Sequence, residues 1–210
     1  SVLKADMANI RTTIEMVNMQ AFARVIDAIN KARRLYVVGM RSSTPLAQFM
    51  AYYLNLLLDD VRQVSAGPSP AIEQLVGISE KDVLIAISFP RYSKSTVNAI
   101  RFARERGAFA AAITDSLFSP LTEHANESLV ARSDMASFVD SLVAPLSLIN
   151  AIIVATGRFN TPETTERFQE LEQIWNNEGV YIGTRQQVDD VAPKTQSDMA
   201  GKARRERTEG

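Results

Sequence analysis

The chain has 210 residues, of which 46% are hydrophobic and 22% charged, with a net charge of −1. That suits one domain with a real buried core plus appendages, and it gives no overall sign of a binder of nucleic acid or membrane surfaces. With no Cys there are no disulfides or thiolate metal sites, which fits a reducing cytoplasm, and a lone His124 has no partner for a His-based metal site or a Ser-His-Asp triad.

Lys4, Asp6 and Arg11 interrupt the apolar residues of the N-terminus, so no secretory signal is expected there. With Ser1 in place of Met, the expectation is a processed product or a fragment of something longer. Residues 5–17 and 19–33 read as two helices, on the spacing of Ile10, Ile14 and Val17 and of Phe22, Val25, Ile26 and Ile29. Leu35 to Val38 is a short strand ending at Gly39, and helical spacing returns from Leu46 to Leu57. Val61–Val64 is a second strand, followed by the turn-like Gly67-Pro68-Ser69-Pro70 and a short helix over 70–77. Strand three covers 83–87, and its following helix stops at Gly107. Phe109–Thr114 is strand four, Ser119-Pro120 starts a short helix, and Ser128–Ala131 is strand five.

Leu142 to Val154 is apolar nearly all round as a helix. It predicts burial in the domain or against a second subunit, with Pro145 tolerated in its first turn. With Pro145, Ser147 and Asn150 in it, that stretch is too short to span a bilayer, so a soluble protein with no membrane partner is expected. A last helix covers 161–178, with Phe168, Leu171 and Trp175 on one face. From 183 the apolar residues thin out, and 183–210 reads as a disordered tail whose basic end, Lys202 to Arg207, is read as solvated.

Strands apolar on both faces, alternating with helices, predict an α/β fold with a doubly wound five-stranded parallel sheet flanked by helices. The expected organisation is linker helices in 1–33, a ligand-binding domain in 34–182 and the tail in 183–210.

In such sheets ligands bind beyond the carboxyl ends of the strands. Two segments occupy such places. "GMRSSTPLAQF" follows strand one, with Gly39 permitting a tight exit and Ser42, Ser43 and Thr44 before the helix. "ISFPRYSKST" follows strand three, and sets Arg91, Tyr92, Ser93, Ser95 and Thr96 ahead of the next helix. One Ser would explain a helix cap. So many hydroxyl and guanidinium groups suit an anion as well, because first-turn N–H groups and the helix dipole attract phosphate. The glycine pattern is neither a dinucleotide fingerprint nor a Walker loop, so no nucleotide cofactor is expected.

The stretches "RLYVVGMRSS", "DVLIAISFPRYSKST" and "ERGAFAAAITDSLFSPL" resemble the sugar isomerase (SIS) domain, and in particular the effector domain of RpiR-type bacterial transcription regulators, over roughly residues 1–180. The resemblance implies a flavodoxin-like five-stranded sheet and a phosphosugar site. Its contacts carry over to Ser42 and Ser43 in the first loop and Ser88, Ser93 and Thr96 in the second. The usual Ser-x-Ser-Gly-x-Thr pattern is stretched here: four residues separate Ser88 from Ser93, and Lys94 stands in place of Gly. Arg41 stands where many members have Gly. Arg41 and Arg91, one in each loop, complete the candidate site as a clamp for a second anionic group.

SIS isomerases resembling this chain carry a Glu and a His at positions that fall near Tyr53 and Asn150, neither of which serves as a base. His124 reads as a surface residue, and Asp115 as a turn or cap residue ahead of an acid/base role. The expectation is a binding module without catalytic residues or metal: the phosphosugar-sensing, homodimeric or higher oligomeric part of a cytoplasmic RpiR-type regulator. DNA would be met only through an N-terminal helix-turn-helix domain that this sequence lacks. The alternatives are a phosphosugar aldose–ketose isomerase, and a dimerisation module without ligand.

Overall fold

The apolar runs pair into one sheet, and their order fixes where a ligand can sit. A computed structural model of the chain describes residues 1–68, 70–135, 138–159 and 161–182. The strands are β1 (Arg34–Gly39), β2 (Val61–Val64), β3 (Asp82–Ile87), β4 (Phe109–Thr114) and β5 (Glu127–Val130). They lie in the order β2-β1-β3-β4-β5, every pair parallel. This is the expected doubly wound α/β sheet. The winding reverses between β1 and β3, whose ends meet where Gly39 pairs with Ile87.

Alternation along the central strands builds two cores. Leu35, Val37, Val83, Ile85, Ile87, Ala111 and Ile113 face one side of the sheet. There they meet α2 (Met19–Lys31), α3 (Thr44–Asn55) and α5 (Val143–Phe159), through Val25, Ile29, Met50, Leu54, Ile149 and Ile152. Tyr36, Val38, Leu84, Ala86, Ala110 and Ala112 face the other side. α4 (Lys94–Glu105) lies there, and its Ala99 and Ala103 join the alanines of β3 and β4 in that core, small residues that let helix and sheet approach closely. Gly107, at φ +82°, takes the left-handed position that ends α4.

α2 starts sharply because Asn18 Oδ1 accepts from the N–H groups of Gln20 and Ala21, both at 3.0 Å. The boundary drawn after residue 33 stays a proposal about domain organisation. Structurally, Val25, Ile26 and Ile29 of α2 belong to the sheet's core. α1 (Val2–Met16) is the helix that spacing predicts, with an unexpected inward face. Asn9 and Thr13 are its buried residues, while Ile14 and Leu3 are 72% and 76% exposed. The polar face is satisfied by backbone: Asn9 Nδ2 donates to the Asp134 carbonyl at 3.2 Å, and Thr13 Oγ1 accepts from the Arg132 N–H at 2.9 Å.

Two short helices expected over 70–77 and after Ser119-Pro120 are single 3₁₀ turns, Glu73–Leu75 and Thr122–His124. Each is anchored by one buried leucine, Leu75 within the first turn and Leu121 just before the second. Pro145 lies in the first turn of α5, where its missing N–H costs nothing. Among the described residues no single helix is long and apolar enough to cross a membrane. α6 (Thr161–Asn177) belongs to a second unit that begins after Phe159, and there the Trp175 ring stands edge-on to Tyr181 at 5.5 Å. The expected tail, 183–210, lies outside the described residues.

Candidate functional site

The loops after β1 and β3 leave neighbouring strand ends at the switch point, and each runs directly into a helix. In the first, Gly39 ends the strand and Arg41–Ser43 form one 3₁₀ turn before α3. Thr44 Oγ1 donates back to the Gly39 carbonyl at 3.2 Å, tying the helix start to the strand end. Ser43 is buried, and Ser42 and Arg41 are exposed.

In the second loop, Ser88 is buried at the end of β3, and its Oγ accepts from the Ser93 N–H at 3.3 Å. That bond closes the four intervening residues into a short bulge and brings Ser88 against Ser93 despite their separation. Ser93 is the N-cap of α4, yet its side chain makes no capping hydrogen bond. Thr96 is fully buried, and its Oγ1 has no hydrogen-bond partner. The first turns of α3 and α4 contain no acidic residue, and α4 carries Lys94 there. An ordinary helix favours anionic side chains at that end. Here the first turns present N–H groups, one buried hydroxyl and a cation without an acidic side chain of their own.

Tyr92 has a different role from the other hydroxyls. Its OH donates to Asp115 Oδ1 at 2.7 Å, which pins the second loop to the end of β4. Burial first, and then the Asp115 carboxylate, push the phenol up to about 12. Asp115 also accepts from Thr114 Oγ1 at 3.2 Å, so it serves as a loop anchor. Arg91 donates from Nη2 to Asp140 Oδ2 at 3.1 Å, and Asp140 is a buried carboxylate that the sequence reading passed over. A separation of 49 residues left no local signal for that pair. Both Arg41 and Arg91 hold left-handed backbone, at φ +57° and +68°.

The positions corresponding to an isomerase's base are elsewhere in character. Tyr53 packs its ring against Phe49 and Tyr52, at 4.7 and 5.0 Å, and Asn150 is exposed on α5. His124 is half-exposed in its 3₁₀ turn. Among the described residues no group of three or more His, Asp or Glu gathers to hold a metal. A shallow groove along α3 beside β2 is lined by Pro45, Phe49, Tyr52, Tyr53 and Val61, with no charged residue in it. It suits a protein surface better than a phosphate.

The SIS domain family model matches residues 28–155, which spans β1 through most of α5. This chain belongs to the SIS domain family. Among curated proteins it is 32% identical over 131 residues to an uncharacterized HTH-type transcriptional regulator of Haemophilus influenzae, covering 61% of this chain and 44% of that protein. The SIS chain thus spans less than half the length of that relative. The sugar isomerase domain of an RpiR transcription factor from Sphaerobacter thermophilus is 27% identical with a TM-score of 0.78, covering 82% of this chain and 96% of that one. The Vibrio vulnificus NanR protein, solved with ManNAc-6P, shares the fold at TM-score 0.72 and 18% identity, covering 83% and 67%. A candidate sugar-phosphate isomerase from Listeria monocytogenes shares it at 0.61 and 19%, covering 75% and 85%. This SIS domain is therefore of the kind found in RpiR-type transcription regulators.

Proposed function

We propose that this SIS domain is the ligand-sensing and dimerising part of a bacterial transcription regulator. Its effector is a phosphorylated sugar or sugar acid, held by Ser42 and Ser43 in the first loop and Ser88, Ser93 and Thr96 in the second. The observation that carries this reading is Thr96: a fully buried hydroxyl without a partner, in the uncapped first turn of α4 at the switch point. A buried hydroxyl normally finds a hydrogen bond, and one left over beside free N–H groups suits a phosphate oxygen. The complex of the NanR protein with a phosphosugar supports the same ligand class by analogy of fold.

On this reading the domain performs no chemistry. Tyr53 and Asn150 supply no general base, and Asp115 is held by the Tyr92 hydroxyl. DNA contact belongs to a helix-turn-helix domain preceding α1, and the protein works in the cytoplasm as a homodimer. The alternative is an aldose–ketose isomerase, which the Listeria neighbour keeps in view. Native mass spectrometry after gentle purification tests the ligand directly. A retained phosphosugar is expected, and its release should follow Ser93→Ala. A ligand-free mass together with no calorimetric response to any phosphosugar would leave only a dimerisation module.

A further inference from the structure

We propose that Arg91 is a hook for a second anionic group on the ligand, and that Asp140 occupies the hook until such a ligand arrives. This rests on the phosphosugar reading above. It narrows the effector to phosphorylated sugars that also carry a carboxylate or a second phosphate.

Arg91 and Arg41 are the residues other than glycine with positive φ among the described residues. They sit in the two loops that leave paired strand ends, Gly39 and Ile87. Left-handed backbone is unfavourable for a residue with a Cβ, and it persists where the surroundings impose it, often at ligand clamps. Glycine would relieve the strain at both places. It would also remove both guanidinium groups from the two loops.

The pairing of Arg91 is lopsided. Its side chain is 74% exposed, whereas that of Asp140 is 7% exposed. A carboxylate held out of water needs a cation, so Asp140 depends on Arg91 far more than Arg91 depends on it. The contact is one N–H to one oxygen, although a guanidinium offers five donors and can grip a carboxylate or phosphate with two. Arg91 therefore has donors to spare, and Asp140 stands as a single-handed substitute for an anion. The exposed Arg41 side chain makes no ion pair or hydrogen bond among the described residues, and it supplies a second guanidinium from the adjacent loop.

Asp140 also has a mechanical neighbour. Ser141 Oγ donates to Asp6 Oδ1 of α1 at 2.6 Å. A ligand that takes Arg91 strips Asp140 of its cation, and the freed carboxylate must move toward water. Since the next residue holds α1, that exchange has a physical route from the site to the N-terminal helix. The ligand acts on the 140–141 segment only through differential contact with Arg91.

Titration calorimetry on the full chain tests the hook with inorganic phosphate, glucose 6-phosphate, 6-phosphogluconate and fructose 1,6-bisphosphate. The two doubly anionic sugars should bind about tenfold or more tighter than glucose 6-phosphate, the scale of one added charge-assisted pair. Arg91→Lys and Arg91→Gln should each reduce that ratio to about threefold or less, because neither keeps the planar fork. Asp140→Asn, which removes the internal competitor, should raise the ratio. If that variant does not fold, the two substitutions at the exposed Arg91 decide the matter alone. Preference for the acid only, or for the bisphosphate only, supports the hook and tells which group it takes. A ratio near one in the wild type, or a ratio unchanged in both Arg91 variants, overturns the hook and leaves a plain phosphate site. Absence of binding by all four probes overturns the phosphosugar reading and the hook together.

Discussion

A Cβ on Gly39 would lie 2.6 Å from the backbone oxygen of Ser43 and 3.0 Å from the Cβ of Ala47. The first of these is a collision with main chain, which cannot swing aside. The strand end and the first turn of α3 are thus in direct contact only because residue 39 has no side chain. Gly39→Ala should push the Arg41–Ser43 turn outward and cost about 1–3 kcal/mol, as overpacking of a close backbone contact does. Urea unfolding measures the cost in stability, and a weakened phosphosugar titration reports the displaced turn. A variant with unchanged midpoint and unchanged affinity would show that the first loop is not held by this contact.

Thr96 gives a prediction with two signs. Replacing its buried, unpartnered hydroxyl by a methyl group removes a polar atom that the ligand-free fold does not satisfy. Thr96→Val should leave the free protein as stable as wild type or about 1 kcal/mol more stable. The same change should weaken phosphosugar binding roughly ten- to a hundredfold, through loss of a hydrogen bond to a charged group. Ser93→Ala and Ser43→Ala should weaken binding without the gain in stability. If Thr96→Val destabilises the free protein and leaves affinity intact, the hydroxyl is structural.

How much of this could be read from residues alone divides along the line between local and distant causes. The three central strands were legible because apolar runs rich in Val, Ile, Leu and Ala need no partner to be recognised, while β2 and β5, each with two polar residues of four, were read from their β-branched and aliphatic residues and their place between helices. The doubly wound closure and the closeness of the two hydroxyl loops followed from the winding rules, whereas the order β2-β1-β3-β4-β5 came from the structure. The 3₁₀ turns at Glu73–Leu75 and Thr122–His124 were not distinguishable from short helices, since three residues carry no periodicity. The polar inner face of α1 was invisible too. Asn9 and Thr13 are buried because the backbone of residues 132–134 meets them, and only the tertiary fold supplies that backbone. Tyr92 looked like one more hydroxyl for a ligand until Asp115, 23 residues away, claimed it.

Asp82 anchors the start of β3 and makes stability depend on pH in a defined direction. Burial alone would raise its pKa. Hydrogen bonds from Arg33 at 2.7 and 2.9 Å, and from the Ser79 N–H and hydroxyl, outweigh burial and hold the carboxyl below its usual range. A lowered folded-state pKa adds stability that is complete above the unfolded value, about 4, and that disappears as pH falls through the folded value. Asp82→Asn should therefore cost about 2–3 kcal/mol near neutral pH, less than for a fully buried pair because Arg33 is half exposed. The gap between variant and wild type should close on acidification below about pH 4. Urea midpoints across that range measure it, and a gap that widens in acid would contradict the assignment.

No isomerase turnover is expected. Proton transfer between neighbouring carbons needs a base within reach of the sugar. Tyr53 is packed in an aromatic cluster, Asn150 is an amide, and Asp115 already accepts two hydrogen bonds. Pentose, hexose and heptose phosphates incubated with the protein in deuterated water should gain no deuterium beside the carbonyl above a protein-free control. Incorporation above that control would make the domain an enzyme.

α3 and α5 pack side by side on one face of the sheet, and each leaves apolar side chains outside the core. Tyr52 is 54% exposed on α3 beside the uncharged groove, and Val154 is 53% exposed on α5. Leu146, by contrast, packs against the core, so a charge there would test folding more than assembly. Aromatic and aliphatic groups bordering an uncharged groove are what a stable interface buries, at about 800 Å² per partner. A dimer through this face should sediment as such at micromolar concentration. Tyr52→Glu and Val154→Glu should each shift it toward monomer while the far-ultraviolet dichroism stays that of wild type. A wild-type monomer, or a dimer indifferent to both charges, would place the interface elsewhere or remove it.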